Sequence, residues 1–459
     1  MSKRLLVSLL LSAVTAACSL APDYRRPEVP VPGAWPDSKV DAGGTARPTG
    51  WQALLPDERL RALVAAALEH NRDLRVAVGR VEEARALAGV AAADRLPTLD
   101  AAAQRSASLT PGDLTTTGRP LNAQRYDANL AVTAFELDFW GRVKNLDAAA
   151  RAGFLASGHA REAFRQALIA DVASAYFSVI ELQERMALAA ATVASRGESR
   201  RLVQARRDVG LAGDLDVLAA DGALQAARGE LASLRRQAGA AQNALDLLVG
   251  TRVELPAGRM LAGQDLMDEV PVGLPAEVLL QRPDIAAAEQ RLIAANANIG
   301  AARAAFLPRI TLTAVAGSAS RALSGLFDAG SRAWSFLPVL RLPLFDAGRS
   351  EANVDLAEAR KVIAVAEYEK AIQQGFREVA DQLLAREQLR EQLAASEAQS
   401  AAQSARLRIV EARHAAGVSS YLELLDAQRE QFAAQQSTLA VRRLHLANLA
   451  SLYKALARY

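Results

Sequence analysis

Cysteine is almost absent from this chain. Among 459 residues only Cys18 occurs, which excludes an intrachain disulfide and any thiolate-held metal cluster. Histidine is scarce too: His70, His159, His414 and His445 lie far apart and form neither a helical pair nor a zinc spacing. No phosphate-binding loop, nucleophile elbow or paired catalytic motif occurs, so an enzyme reading has no support. Aromatic residues make up 5% although 51% of the chain is hydrophobic, because alanine supplies much of that count. Such a mixture suits long, closely packed helices better than a thick core. The formal charge of +3 is close to balance and leaves no nucleic-acid footprint; the interleaved acids and bases read as solvated helix faces. Proline is missing between Pro120 and Pro256 and again after Pro343, so nothing forces a helix break there.

What is present begins with an export signal at 1–17. Lys3 and Arg4 precede an apolar run from Leu5 to Val14, followed by small residues ending at Cys18. That run is shorter than the roughly 20 residues needed to cross a bilayer. The stretch "TAAC" resembles a bacterial lipobox, with Thr15 where leucine is commonest, and this implies a covalent lipid on Cys18 and no other cofactor. A plain signal peptide with a chance cysteine is the alternative. Ser19, not an inner-membrane retention aspartate, follows, so the expected address is the outer membrane. Residues 18–50 are proline-rich and expected to run extended over a surface.

An internal repeat fixes the architecture. "FWGR" ending at Arg142 matches "DAGR" ending at Arg349, a shift of 207 for the glycine (348 − 141), and "VGLAG" matches "AGVSS" at the same shift (417 − 210). Further upstream Asp73, Arg80 and Pro97 meet Asp284, Arg291 and Pro308 at a shift of 211 (308 − 97), and the difference of four is expected in a loop. The two repeats occupy 51–255 and 276–459, joined by a linker at 256–275. Each runs helix, Leu-Pro stop, variable segment, long helix, glycine turn, helix, with the long helices at 141–209 and 348–416 and their followers at 213–249 and 419–456. The first helix is expected over about 57–95. Ile169, Val172, Tyr176 and Val179 carry the three-then-four spacing of a helical packing seam.

The variable segments alternate in polarity, giving strands near 98–106 and 125–138 in one repeat and near 309–319 and 333–345 in the other. Such alternation is what a membrane β-barrel requires, with a soluble hairpin as the alternative. Four strands cannot close a barrel, because known ones need at least about eight. The fold class expected is therefore mainly α with a β-barrel part, completed by a homotrimer with twelve strands and a helical cylinder.

"PDYRRPEVPVPGAW", "FELDFWGR", "RPDIAAAEQRLIAANANIGAARAAFLPRITL" and "GVSSYLELLDAQR" resemble the TolC-like outer membrane factors, particularly their NodT-type lipoprotein branch, over essentially the whole mature chain. The resemblance implies an outer-membrane exit duct for small molecules, continuous with a periplasmic helical tunnel. It also implies docking to a periplasmic adaptor and a proton-driven inner-membrane pump of the resistance-nodulation-division class. By the same resemblance Val209, Gly210, Leu211, Gly417 and Val418 at the glycine turns are adaptor-contact candidates, and Gly210 and Gly417 also suit helix C-caps. Leu422, Asp426 and Arg429 match the family's periplasmic constriction. The spacing of four then three puts them on one stripe of a helix. The resemblance implies pairing of Arg429 across to a neighbouring helix, and an intrahelical Asp426–Arg429 pair worth only a few tenths of a kcal/mol is the alternative. A protein-secretion duct and a pore-less, lipid-anchored coiled-coil spacer are the competing readings.

Overall fold

The computed structural model describes residues 19–32, 50–255, 260–264 and 276–456. Cys18 and most of the 256–275 linker lie outside them. The first repeat supplies α1 (Trp51–Leu54), α2 (Glu58–His70), α3 (Arg72–Ala93), β1 (Asp100–Thr110), β2 (Leu121–Glu136), α4 (Arg142–Asp208) and α5 (Asp214–Val249). The second supplies α6 (Pro283–Ala304), β3 (Arg309–Ser320), β4 (Arg332–Arg341), α7 (Arg349–Ala415) and α8 (Tyr421–Ala455). Helices α4 and α7 are each 67 residues long. Gly141 and Gly348 stand before them at φ 71° and 82°, and Gly210 and Gly417 after them at φ 76° each. The same left-handed backbone therefore recurs at repeat-equivalent positions, where a side chain would be strained.

Two compact units are formed. One comprises residues 80–158 and 287–369 with the segment up to Glu28; the other holds 29–79, 159–286 and 370–459. The first contains one sheet, β1-β2-β3-β4, antiparallel throughout. Pairing of β2 with β3 joins the two repeats edge to edge, for example Leu130 opposite Ala316. The four-residue difference between repeats falls within and just after β2 and not in the hairpin loop. From the start of β2 to Gly141 the chain advances 20 positions (141 − 121), and from the start of β4 to Gly348 only 16 (348 − 332). Part of this excess is a bulge between Val132 and Phe135, where Ala134 takes φ 51° and its amide donates to Thr313 Oγ1 at 3.2 Å. The last strand stops at Arg341, short of the expected 345. Pro343 cannot donate to a ladder, and Asp346 beyond it accepts from the amides of Gly348 and Ser350 to start α7.

In the second unit the seam residues Ile169, Val172, Tyr176 and Val179 are buried against Leu60, Val64, Leu245 and Leu449. Tyr176 donates its hydroxyl to Asp57 Oδ2 at 2.7 Å while Asp57 Oδ1 caps α2 through the Arg59 amide, so one buried carboxylate serves both helices. The helix expected over 57–95 is two helices. Asn71 breaks it: its Oδ1 accepts the Leu74 amide at 2.8 Å and its Nδ2 donates to the Leu248 carbonyl at 2.8 Å, a local cap that competes with helix continuation. Arg282 is almost fully buried and donates to Asp284, Glu378 and the Ala455 carbonyl, fastening the α6 start to α7 and the α8 end. Burial opposes its charge, but the two carboxylates outweigh burial and raise its pKa.

Gly250 closes α5 at φ 80°, and a Cβ built there would lie 2.4 Å from the His70 carbonyl oxygen. Gly250→Ala therefore combines backbone strain with a clash against main chain, an expected loss of about 2–4 kcal/mol. Thermal melting of the detergent-solubilised variant checks this; an unchanged midpoint contradicts it.

Candidate functional site: helix tips and a two-faced sheet

The two glycine turns are built alike. After α4, the Gly210 amide donates to the Arg207 carbonyl at 2.9 Å and the Leu211 amide to Arg206 at 2.7 Å; after α7, Gly417 donates to His414 at 3.0 Å and Val418 to Arg413 at 2.8 Å. Each pair is the double bond of a Schellman cap, which consumes the helix-end carbonyls and leaves the side chains out of the turn. Val209, Leu211 and Val418 are accordingly at least two-thirds exposed. So are Leu422 on α8 and Leu215 on α5, which are repeat equivalents at the shift of 207 (422 − 215). Leu218, one turn further on, is equally open. Leu215 and Leu218 were legible from the repeat and were not singled out by the sequence reading.

Charge spans both turns. Arg207 reaches Asp214 at 2.9 Å across the first and Arg413 reaches Glu423 at 3.6 Å across the second. The two hairpins meet where Tyr421 and Ser199 share a hydrogen bond of 3.1 Å. Arg196 donates to the Ala223 carbonyl at 2.8 Å, and burial draws its pKa below the usual arginine range.

Asp426 is the centre of the second tip. Its Oδ1 accepts from Arg429 at 2.7 Å and its Oδ2 from Arg406 at 2.9 Å, while Arg429 also contacts Glu430 at 3.1 Å. Within the chain Arg429 pairs on its own helix, three residues back, as the intrahelical alternative has it. The cation that reaches Asp426 from α7 is Arg406. Its position was available in outline, because Arg406 and Asp426 stand 11 and 9 residues either side of Gly417 (417 − 406, 426 − 417) in an antiparallel hairpin. Leu422 lies one turn before Asp426 on the same helix, as the spacing predicts.

The sheet has two chemically distinct faces. Register places Ala101, Leu130, Ala316 and Trp334 in one cross-strand row, and Val132, Ala314 and Phe336 with Leu312, Ile310 and Leu340 in the rows beside it. The opposite face carries Gln104, Asp127 and Asn129, then Thr313, Thr311 and Glu136. Glu136 is held by Arg142 through both oxygens and by Arg309 at 2.7 Å. One face is thus mainly apolar, with Arg105 and Arg332 toward its loop end, and the other carries the acids and amides together with Val315, Leu337 and Val339, an alternation of the kind a strand between lipid and water shows. The outer edges of β1 and β4 have no neighbouring strand among the described residues. Among those residues no helix is long and apolar enough to cross a membrane, and no group of His, Cys, Asp or Glu could hold a metal ion.

The family model for outer membrane efflux proteins matches residues 63–251 and 274–458. The chain is 43% identical over 464 residues to the toluene efflux pump outer membrane protein TtgF of Pseudomonas putida, covering 98% of this chain and 96% of that one. It is 45% identical over 430 residues to the outer membrane protein OprJ of Pseudomonas aeruginosa, covering 93% and 90%. The open-state crystal structure of the MtrE outer membrane channel of Neisseria gonorrhoeae superposes with a TM-score of 0.87 at 37% identity, covering 96% of this chain and 98% of that one. The motif resemblance is borne out, and the chain belongs to the outer membrane efflux protein family.

Proposed function

We propose that three copies of this chain form a passive exit duct, through which small molecules leave the periplasm across the outer membrane. The observation that carries this reading is the four-stranded sheet with one apolar face and two unpaired edges. In lipid an unpaired edge leaves backbone groups unsatisfied at several kcal/mol each, so the edges must be covered by other strands. Four strands from each of three chains make a closed barrel of twelve, with its polar face lining water. No bond is made or broken; the driving energy comes from an inner-membrane pump through a periplasmic adaptor. Relatives named for toluene, solvent and antibiotic efflux support small-molecule cargo.

In this reading Val209, Gly210, Leu211, Gly417 and Val418 form the tip that the adaptor contacts. Leu422 gives the constriction an apolar ring, and Asp426 with Arg429 and Arg406 holds it narrow. Dye efflux in cells lacking their own outer-membrane component, with pump and adaptor supplied, tests the assignment. Restored efflux supports it, and expression with no efflux overturns it. Lipid on Cys18 is a separate claim: Cys18→Ser is expected to abolish metabolic labelling with palmitate, and persistent labelling would remove it.

A further inference from the structure

Two arginines stand on the apolar face of the sheet. Arg105 on β1 lies opposite Tyr126, with its guanidinium 5.6 Å from the ring centroid, and Arg332 on β4 lies opposite Ser318. Both belong to the same face as Trp334, Phe336 and Leu340. They occupy adjacent rows toward the hairpin loops, at the end of the sheet away from the helices; the next row inward holds Leu130 and Trp334. No aspartate or glutamate occurs on this face of the paired strands, whereas Asp127 and Glu136 sit on the other. The Arg105 side chain finds only the Gln124 amide oxygen, at 3.4 Å, and the tyrosine ring; the Arg332 side chain is exposed and has no hydrogen bond or ion pair among the described residues.

A guanidinium facing lipid costs about 2–4 kcal/mol at mid-membrane and little at the interface, so these rows mark the headgroup level. A cation kept there without a protein counter-charge is matched by an anion from outside the chain. Planar guanidinium favours phosphate oxygens, which it engages through two parallel N–H donors. We propose that Arg105 and Arg332 form a binding site for the phosphate-bearing headgroup of an anionic lipid in the leaflet around the loop end of the barrel. The site rests on the barrel reading above. In that barrel β1 and β4 are the edges that meet between subunits, which would bring Arg332 of one copy and Arg105 of the next to a shared groove.

Native mass spectrometry of the detergent-solubilised full-length trimer, titrated with dioleoyl phosphatidic acid and with dioleoyl phosphatidylcholine, tests this. The wild type is expected to bind the phosphomonoester lipid about fivefold or more tightly than the zwitterionic one, and Arg105→Gln with Arg332→Gln to erase that preference alone. Arg105→Lys with Arg332→Lys keeps the charge and should retain part of it. Millimolar inorganic phosphate should not compete, since the acyl chains seat the headgroup; full competition would overturn a lipid site. Equal affinity of the wild type for both lipids, or an unchanged preference in the glutamine variant, would also overturn the inference while leaving the duct intact. Absence of any trimer would instead strike the barrel reading on which the site depends. Should the glutamine variant fail to assemble, the wild-type preference and the phosphate arm still decide.

Discussion

Asp426→Ala is expected to raise the mean conductance of the isolated trimer severalfold, and adding Arg429→Ala should change little further. Both guanidiniums that brace the α8 tip end on this one carboxylate, Arg429 at 2.7 Å and Arg406 at 2.9 Å. Each pair is partly exposed and contributes only about 0.5 kcal/mol. The Arg429 pair lies within one helix and is the same open or closed, so the Arg406 pair alone counts. One in each of three protomers biases the closed tip by about 1.5 kcal/mol, enough to move a closed-to-open ratio by about tenfold. Arg429→Ala alone should have a smaller effect, because Arg406 still crosses from α7 to hold Asp426. Single-channel recording of the three variants separates these outcomes. A conductance unchanged in Asp426→Ala, or an Arg429→Ala effect larger than that of Asp426→Ala, would sink the assignment of Asp426 as the hub.

The second large effect is expected at the first tip. Leu211→Glu should abolish drug resistance conferred with pump and adaptor, lowering inhibitory concentrations by about fourfold or more, while the trimer still assembles and melts normally. The Schellman cap spends the backbone of the turn on helix termination and leaves the Leu211 side chain in water, where it does nothing for the fold. Burying a leucine in a partner contributes about 1.5–3 kcal/mol, and a carboxylate there reverses the sign. Crosslinking from position 211 to the adaptor provides an independent check. Retained resistance, with the glutamate variant at normal abundance, would place the contact elsewhere, and the equally open Leu215 and Leu218 would become the candidates.

Much of this was legible in the sequence, because a gapless repeat is a geometric statement. Two stretches offset by 207 gave two 67-residue helices with left-handed glycines at matching ends. Alternation gave the four strands, but not their order, since nothing local says that β2 pairs with β3. What escaped was whatever depends on contacts between elements. Asn71 breaks a helix by capping the Leu74 amide while Leu248 offers its carbonyl, and one of the four extra residues is absorbed by a bulge in which Thr313 satisfies the Ala134 amide. At the tip, spacing found Leu422, Asp426 and Arg429 on one stripe, yet Arg406 had to be found across a hairpin. The family resemblance supplied the roles; the geometry redistributed the charge among them.

A passive exit duct requires that this chain make a pore. Purified full-length protein reconstituted in planar bilayers is expected to insert as a trimer and give discrete conductance steps, small in the wild type and enlarged in Asp426→Ala. A trimer that inserts and never conducts in either form would contradict it.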